Sequence, residues 1–93
     1  MQLLVVADIP KIGPQDDADF AVKLGFADGS AAGCRLRVSG PAPAGDGRRV
    51  LTLWDSKEAF ETWRDHRLAE VLLETGFPVP TFEVWDIDAT YGL

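Results

Sequence analysis

The sequence predicts an α+β domain of order βαββαβ. Three observations carry the prediction: four apolar or alternating runs of strand length, two stretches with helix-start chemistry, and Gly- and Pro-rich punctuation between them. A chain of 93 residues sets the scale at one small domain covering residues 1–93.

Gln2 to Ile9 is a continuous apolar run bounded by Pro10, the pattern of a strand buried on both faces. Pro14 follows Gly13, and Asp16 and Asp17 stand where a helix N-terminus favours negative charge. Phe20, Val22 and Leu24 supply the apolar positions of a short helix ending near Gly25, and residues 27–33 form a small, polar loop. Cys34 to Ser39 alternates Cys, Leu and Val with Arg, Arg and Ser, the two-residue period of a half-buried strand. The run GPAPAGDG (40–47) is turn chemistry, and Arg48 to Trp54 is the third strand. Asp55 is a suitable N-cap with Glu58 in the reciprocal capping position. The helix it opens runs from Ser56 to about Thr75 and is stopped by Gly76 and Pro78. Thr81 to Ile87 is the fourth strand. This order closes most simply as a four-stranded antiparallel sheet with both helices on one face, the ferredoxin-like arrangement.

Two helices cover one face only, yet LLVVA, VLTLW and FEVWDI are apolar or aromatic on both. A second copy packed on the open sheet face would cover the remainder, at roughly 10 Å between sheets. A homodimer is therefore expected.

Bulk properties exclude several function classes. A net charge of -6 lacks the basic face that nucleic acid or an anionic membrane requires. The longest apolar runs are too short to span a bilayer, and the N-terminus lacks the basic start and long apolar core of a signal peptide. A single cysteine, Cys34, forms no internal disulfide and no metal cluster, which favours a cytoplasmic protein with a structural thiol. No nucleotide-loop or zinc-ligand spacing occurs, so neither a cofactor nor a metal is expected.

The run VLTLWDSKEAFETW, a strand ending in Trp that enters a helix through Asp-Ser-x-Glu-Ala, and the later GFPVPTFEVWDI together resemble the dimeric α/β-barrel superfamily. That superfamily includes antibiotic-biosynthesis-type monooxygenases and polyketide-cyclase-like barrels. The resemblance covers nearly the whole chain and implies a homodimer with a small-molecule pocket between each sheet and its helices. Fold likeness alone does not choose among the activities.

On a 3.6-residue wheel Phe60, Leu68, Val71 and Leu72 share an arc with Trp63 at its edge, and Arg64 and Arg67 fall inside it. A regular core-facing helix does not allow that. Either the helix bends near Asp65–Arg67, at the pocket mouth as in similar barrels, or the arginines extend to solvent. His66 is the chain's only histidine, hence its natural general base, against the plain alternative of a surface histidine. The plant olivetolic-acid-cyclase pattern carries Tyr at the position of Trp63, His at that of His66, and its catalytic His where this chain has Ala69. The monooxygenase and haem-degrading patterns pair an Asn with a Trp, and this chain has no asparagine. Neither mechanism carries over intact.

In the strands, Val50, Thr52 and Trp54 share the face that looks into the pocket of similar barrels. The same likeness turns Phe82, Val84 and Asp86 inward from strand four, and Leu4, Val6 and Asp8 inward from strand one. A carboxylate at Asp8 or Asp86 would then have a raised pKa and serve as acid or base, unless both lie at strand ends in water. Arg37 is a candidate for an anionic group, or part of a salt-bridged face. The resulting expectation is a cofactor-independent enzyme acting by proton transfer, a cyclisation or isomerisation, on a hydrophobic polyketide-like or aromatic molecule. Its base is His66, Asp8 or Asp86; Trp63, Trp54, Thr52 and Phe82 pack the substrate, and Arg64, Arg67 or Arg37 meets its anionic group. A cofactor-free monooxygenase and a non-catalytic dimeric binding module are the alternatives.

Overall fold

A computed structural model describes residues 1–43 and 45–92. Strands Gln2–Pro10 (β1), Cys34–Pro41 (β2), Gly47–Trp54 (β3) and Thr81–Ile87 (β4) form one antiparallel sheet of order β2-β3-β1-β4. Helix α1 is Pro14–Lys23, between β1 and β2. Between β3 and β4 a continuous helix comprises α2 (Lys57–Trp63), a π-helical turn (Arg64–Leu68) and α3 (Ala69–Thr75). Both helical segments pack on one sheet face, which gives the ferredoxin-like α+β fold.

Register sets which residues face the helices. Leu3, Val5 and Ala7 of β1 stand opposite Trp54, Thr52 and Val50 of β3, and all six are buried. On the other side Ala7, Val5 and Leu3 pair with Phe82, Val84 and Asp86 of β4. The expected inward faces of β3 and β4 are therefore present, but that of β1 is reversed. Leu4, Val6 and Asp8 lie on the open face, because β1 is apolar on both sides and a one-residue shift exchanges its faces. Strand β2 is reversed as well: Leu36 and Val38 lie exposed on the open face opposite Leu53 and Leu51, while Arg37, paired with Thr52, turns under the helices.

Helix termini follow local chemistry with one change. Ser56, not Asp55, is the N-cap of α2, and its Oγ accepts from the Ala59 N–H at 3.1 Å. Asp55 instead accepts from Arg35 Nε. On α1, Asp16 accepts from the Gly13 N–H at 3.3 Å. Val22 is exposed, so Phe20 and Leu24 alone carry the apolar face of the α1 region. Gly76 ends α3 at φ 69°, the left-handed stop anticipated for it.

The π turn resolves the arginines in the apolar arc. Its Ala69 N–H bonds the Arg64 carbonyl, five residues back. One extra residue in a turn rotates everything beyond it by about 100°. That shift gathers Trp63, Phe60, Leu68, Leu72 and Val71 into an arc about 100° wide, in place of about 180° on a regular wheel, and moves Arg67 off it.

Two buried clusters result. Ile9, Phe20, Leu24, Val50, Leu68 and Val71 form the centre of one, and Leu3, Val5, Trp54 and Phe60 the centre of the other. Phe26, Trp63 and Phe82 touch both clusters and join them. On the opposite side of the sheet Leu36, Val38 and Trp85 remain exposed, Trp85 at 65%. Among the described residues no helix is long and apolar enough to cross a membrane.

Candidate functional site

Trp63 is the centre of the site. Its indole N–H donates to the Leu24 carbonyl at 3.0 Å, which fixes the ring against the loop after α1. Its ring lies 5.2 Å from Trp54, 5.3 Å from Phe26 and 6.1 Å from Phe60, centroid to centroid. Phe82 packs edge-on to Phe60 at 5.5 Å. Trp54 is fully buried behind this group and donates to Thr52 Oγ1 at 2.8 Å. That bond satisfies both polar groups where water is absent.

Trp63 is a wall between two spaces. Outside it, Gly33, Ser56, Ala59, His66 and Arg67 line an open groove of about 550 Å³. Inside it, between sheet and helices, is a narrow cleft of about 30 Å³. Phe60, Trp63, Phe82, Thr52 and Arg37 line this cleft. The cleft as it stands holds about one water molecule. An aromatic ligand enters it only if Trp63 or a neighbouring ring moves, whereas the groove is open already. Gly33 shapes the groove: its φ is 88°, and a Cβ there would stand 2.6 Å from the Ala59 Cβ.

The structure thus divides the residues singled out from sequence. Trp63, Thr52, Phe82 and Arg37 meet at the cleft, Trp63, His66 and Arg67 meet at the groove, and Trp54 lies behind them. His66 is exposed on the π turn. Arg67 is engaged, with Nε donating to the Lys23 carbonyl at 2.9 Å at the end of α1. Arg64 is engaged with Asp65 at 2.8 Å and lies 5.7 Å from the Phe60 ring centroid. Asp86 shares the helix-side face of β4, an edge strand, but is exposed.

Asp8 is a correction. It lies on the open sheet face, where both carboxylate oxygens accept from its cross-strand partner Arg49 at 2.8 and 2.9 Å. The hydrogen bonds from Arg49 hold its carboxyl below the ordinary value. It is neither inside the pocket nor the raised-pKa acid expected from strand alternation.

A second cluster has no counterpart in the sequence reading. Asp17 of α1 is buried and accepts from Arg37 at 2.7 Å, with Arg48 Nε at 3.7 Å on its other oxygen. Both arginine side chains are only 14% exposed. The Arg37 guanidinium also lies over Phe26, 5.2 Å from the ring centroid. Acidic residues in a first helical turn are ordinarily explained by the helix dipole, which hid the buried role of Asp17. Phe26 and Phe60 were likewise missed as lining residues, since aromatics in a loop and on a core arc carry no mark of a cavity.

Cys34 is half-buried; burial pushes its thiol up from the ordinary value, and Sγ lies 3.5 Å from the Leu36 carbonyl. Among the described residues no three potential metal ligands converge.

Sheet order and helix placement define the class: a ferredoxin-like α+β fold, shared with a set of solved structures. Three solved structures illustrate it. A variant of SnoaB, a cofactor-independent oxygenase from Streptomyces nogalater, matches with TM-score 0.65 and 12% identity over 97% of this chain and 95% of that one. The haem-free heme-degrading protein Rv3592 from Mycobacterium tuberculosis matches with TM-score 0.66 and 19% identity, over 99% and 100%. A dimeric ferredoxin-like protein from Thermobifida fusca matches with TM-score 0.61 and 14% identity, over 94% and 92%. At these identities the likeness is one of fold. No family sequence model and no curated protein matches the chain.

Proposed function

We propose that this chain is a homodimeric enzyme that binds a small hydrophobic, aromatic molecule beside Trp63 and moves a proton with His66 as base, without a resident cofactor. The observation that carries the reading is the position of Trp63: it is the shared wall of groove and cleft, and His66 lines the same groove. A flat apolar substrate stacks on the indole, and an acidic C–H or O–H at its edge gives its proton to the imidazole. The π turn supports this role, since such turns present side chains at angles a regular helix does not and recur at functional sites. Asp86 is the second candidate base, at the exposed helix-side end of β4. Phe82, Thr52 and Trp54 support the rings from behind.

The homodimer rests on the open face, where Leu36, Val38 and Trp85 stand exposed, and on the dimeric state of the Thermobifida fusca protein. Sedimentation at micromolar concentration tests it, and a stable monomer would refute it. A haem does not fit the cleft, which holds about 30 Å³, and the only histidine lines the outer groove.

A second reading is a cofactor-free monooxygenase, favoured by the likeness to the cofactor-independent oxygenase SnoaB. Oxygen uptake on adding a hydroquinone-like substrate supports it, and undiminished anaerobic turnover excludes it. For the leading reading, His66→Ala is expected to lower turnover by about 10²-fold or more while Trp63 fluorescence still reports ligand binding. Unchanged turnover in both His66→Ala and Asp86→Asn removes the proton-transfer assignment. Ligand-induced fluorescence change without turnover of any substrate identifies a binding module instead.

A further inference from the structure

The Asp17–Arg37–Arg48 cluster points to a ligand's charge. Two guanidiniums share one carboxylate, so the cluster carries a net positive charge beneath the helices. No other acidic group within ion-pair distance balances it among the described residues. The Nε–H groups of Arg37 and Arg48 are both buried and neither has an acceptor. Buried donors without partners are rare in folded proteins and expensive where the charge is also desolvated. Arg37 lines the cleft, with Phe26 across the face of its guanidinium and Phe60, Trp63 and Phe82 on the other walls.

From this we propose that the Arg37 side of the cleft is an anion recess that receives a carboxylate or phenolate oxygen of the aromatic ligand. Resting on the aromatic-ligand reading above, the proposal adds a charge requirement to it. Once a ring of the wall moves to admit the ligand, the ligand oxygen accepts from the now buried Arg37 Nε–H, a charge-assisted bond of the kind a neutral hydroxyl makes more weakly. Arg48 supplies the surplus positive charge that Asp17 alone would cancel. Phe26 keeps the guanidinium plane fixed while Trp63 swings aside and the ring of the ligand enters beside Phe60 and Phe82, since the cleft with Trp63 in place holds about one water. A flat carboxylate on a ring suits this slot; a hydrated phosphate, with no apolar body to fill it, does not.

The test uses the intact protein labelled with nitrogen-15, at constant ionic strength set with sodium chloride. Sodium benzoate and benzyl alcohol are titrated separately, following arginine Nε–H resonances and tryptophan fluorescence. The expected result is a saturable shift of the Arg37 Nε–H with benzoate and a preference of at least tenfold for benzoate over benzyl alcohol. Arg37→Met should abolish that preference, and if it does not fold, the wild-type resonance decides alone. Equal binding of the two probes, or an unmoved Nε–H, overturns the recess while leaving the aromatic site standing. A shifted Nε–H without any change in tryptophan fluorescence means an anion held away from the Trp63 wall and overturns both the recess as drawn and the site beside Trp63. No response from either reporter overturns both.

Discussion

Replacing Asp17 by Asn tests whether the buried cluster is held by charge. Asparagine keeps the shape and an oxygen that accepts from Arg37, so the change removes the negative charge and little else. Asp17 is only 4% exposed in its side chain, so the two arginines would face each other with no counter-ion and little water. Removing one partner from a buried pair costs about 3–5 kcal/mol. A domain of 93 residues has on the order of 5–14 kcal/mol in total. The variant is therefore expected to lose roughly a fifth or more of its stability and to melt at least ~12 °C lower. Urea unfolding followed by circular dichroism at fixed protein concentration measures it. Arg48→Met is the control, because it leaves the 2.7 Å Asp17–Arg37 bond intact and keeps an apolar stem; its loss should be about 1 kcal/mol or less. A loss below about 1 kcal/mol for Asp17→Asn, or one no larger than that of Arg48→Met, would refute the reasoning.

Asp8 predicts an acid-side pH dependence. Its carboxyl is held below the ordinary 3.8 by the Arg49 hydrogen bonds, so its contribution is complete above that value and lost as pH falls through the lower folded-state value. Asp8→Asn should be slightly less stable than the wild type at pH 5 and equal to it near pH 2; because the pair is well exposed the difference is small, and a gap that widens toward low pH contradicts the assignment. Gly33→Ala should destabilise by about 1–3 kcal/mol, since it combines a left-handed φ with a methyl group 2.6 Å from the Ala59 Cβ. Thermal melting checks it, and a neutral result would mean that α2 yields freely at the groove.

Legibility from sequence differed element by element. Strand β4 and the end of α3 were plain, because Pro80, Gly76 and the aromatic and β-branched run FEVWDI have few other conformations open to them. An irregularity in the long helix was also legible, from Arg64 and Arg67 lying where a regular helix buries residues; it takes the form of a π turn. Strand β1 was not: LLVVA satisfies either face, and only its register with Trp54 and Thr52 decides, which moved Asp8 to the far side of the sheet. In β2 the apolar alternation pointed at the wrong face, since Leu36 and Val38 serve the open side while Arg37 is stabilised inside by Asp17. Trp63 and His66, three residues apart on one helix, line the same groove. The separation of His66 from the cleft residues was invisible, because the dividing wall is the Trp63 ring, held in place by a tertiary bond to the Leu24 carbonyl.

The π turn has a consequence for how the chain tolerates length changes. Five residues occupy Arg64–Leu68 in one wide turn, and the helix resumes without a break in its backbone bonding. Deleting any one of them would close the turn to regular α-helix and leave every side chain from Ala69 onward facing as it does now, because the π turn already holds those residues one position back on the wheel. Val71 would keep its place on the core line. The turn therefore behaves as a spare residue carried by the helix: a single-codon loss within it is absorbed on the spot, whereas the same loss within α3 turns the residues beyond it by about 100°.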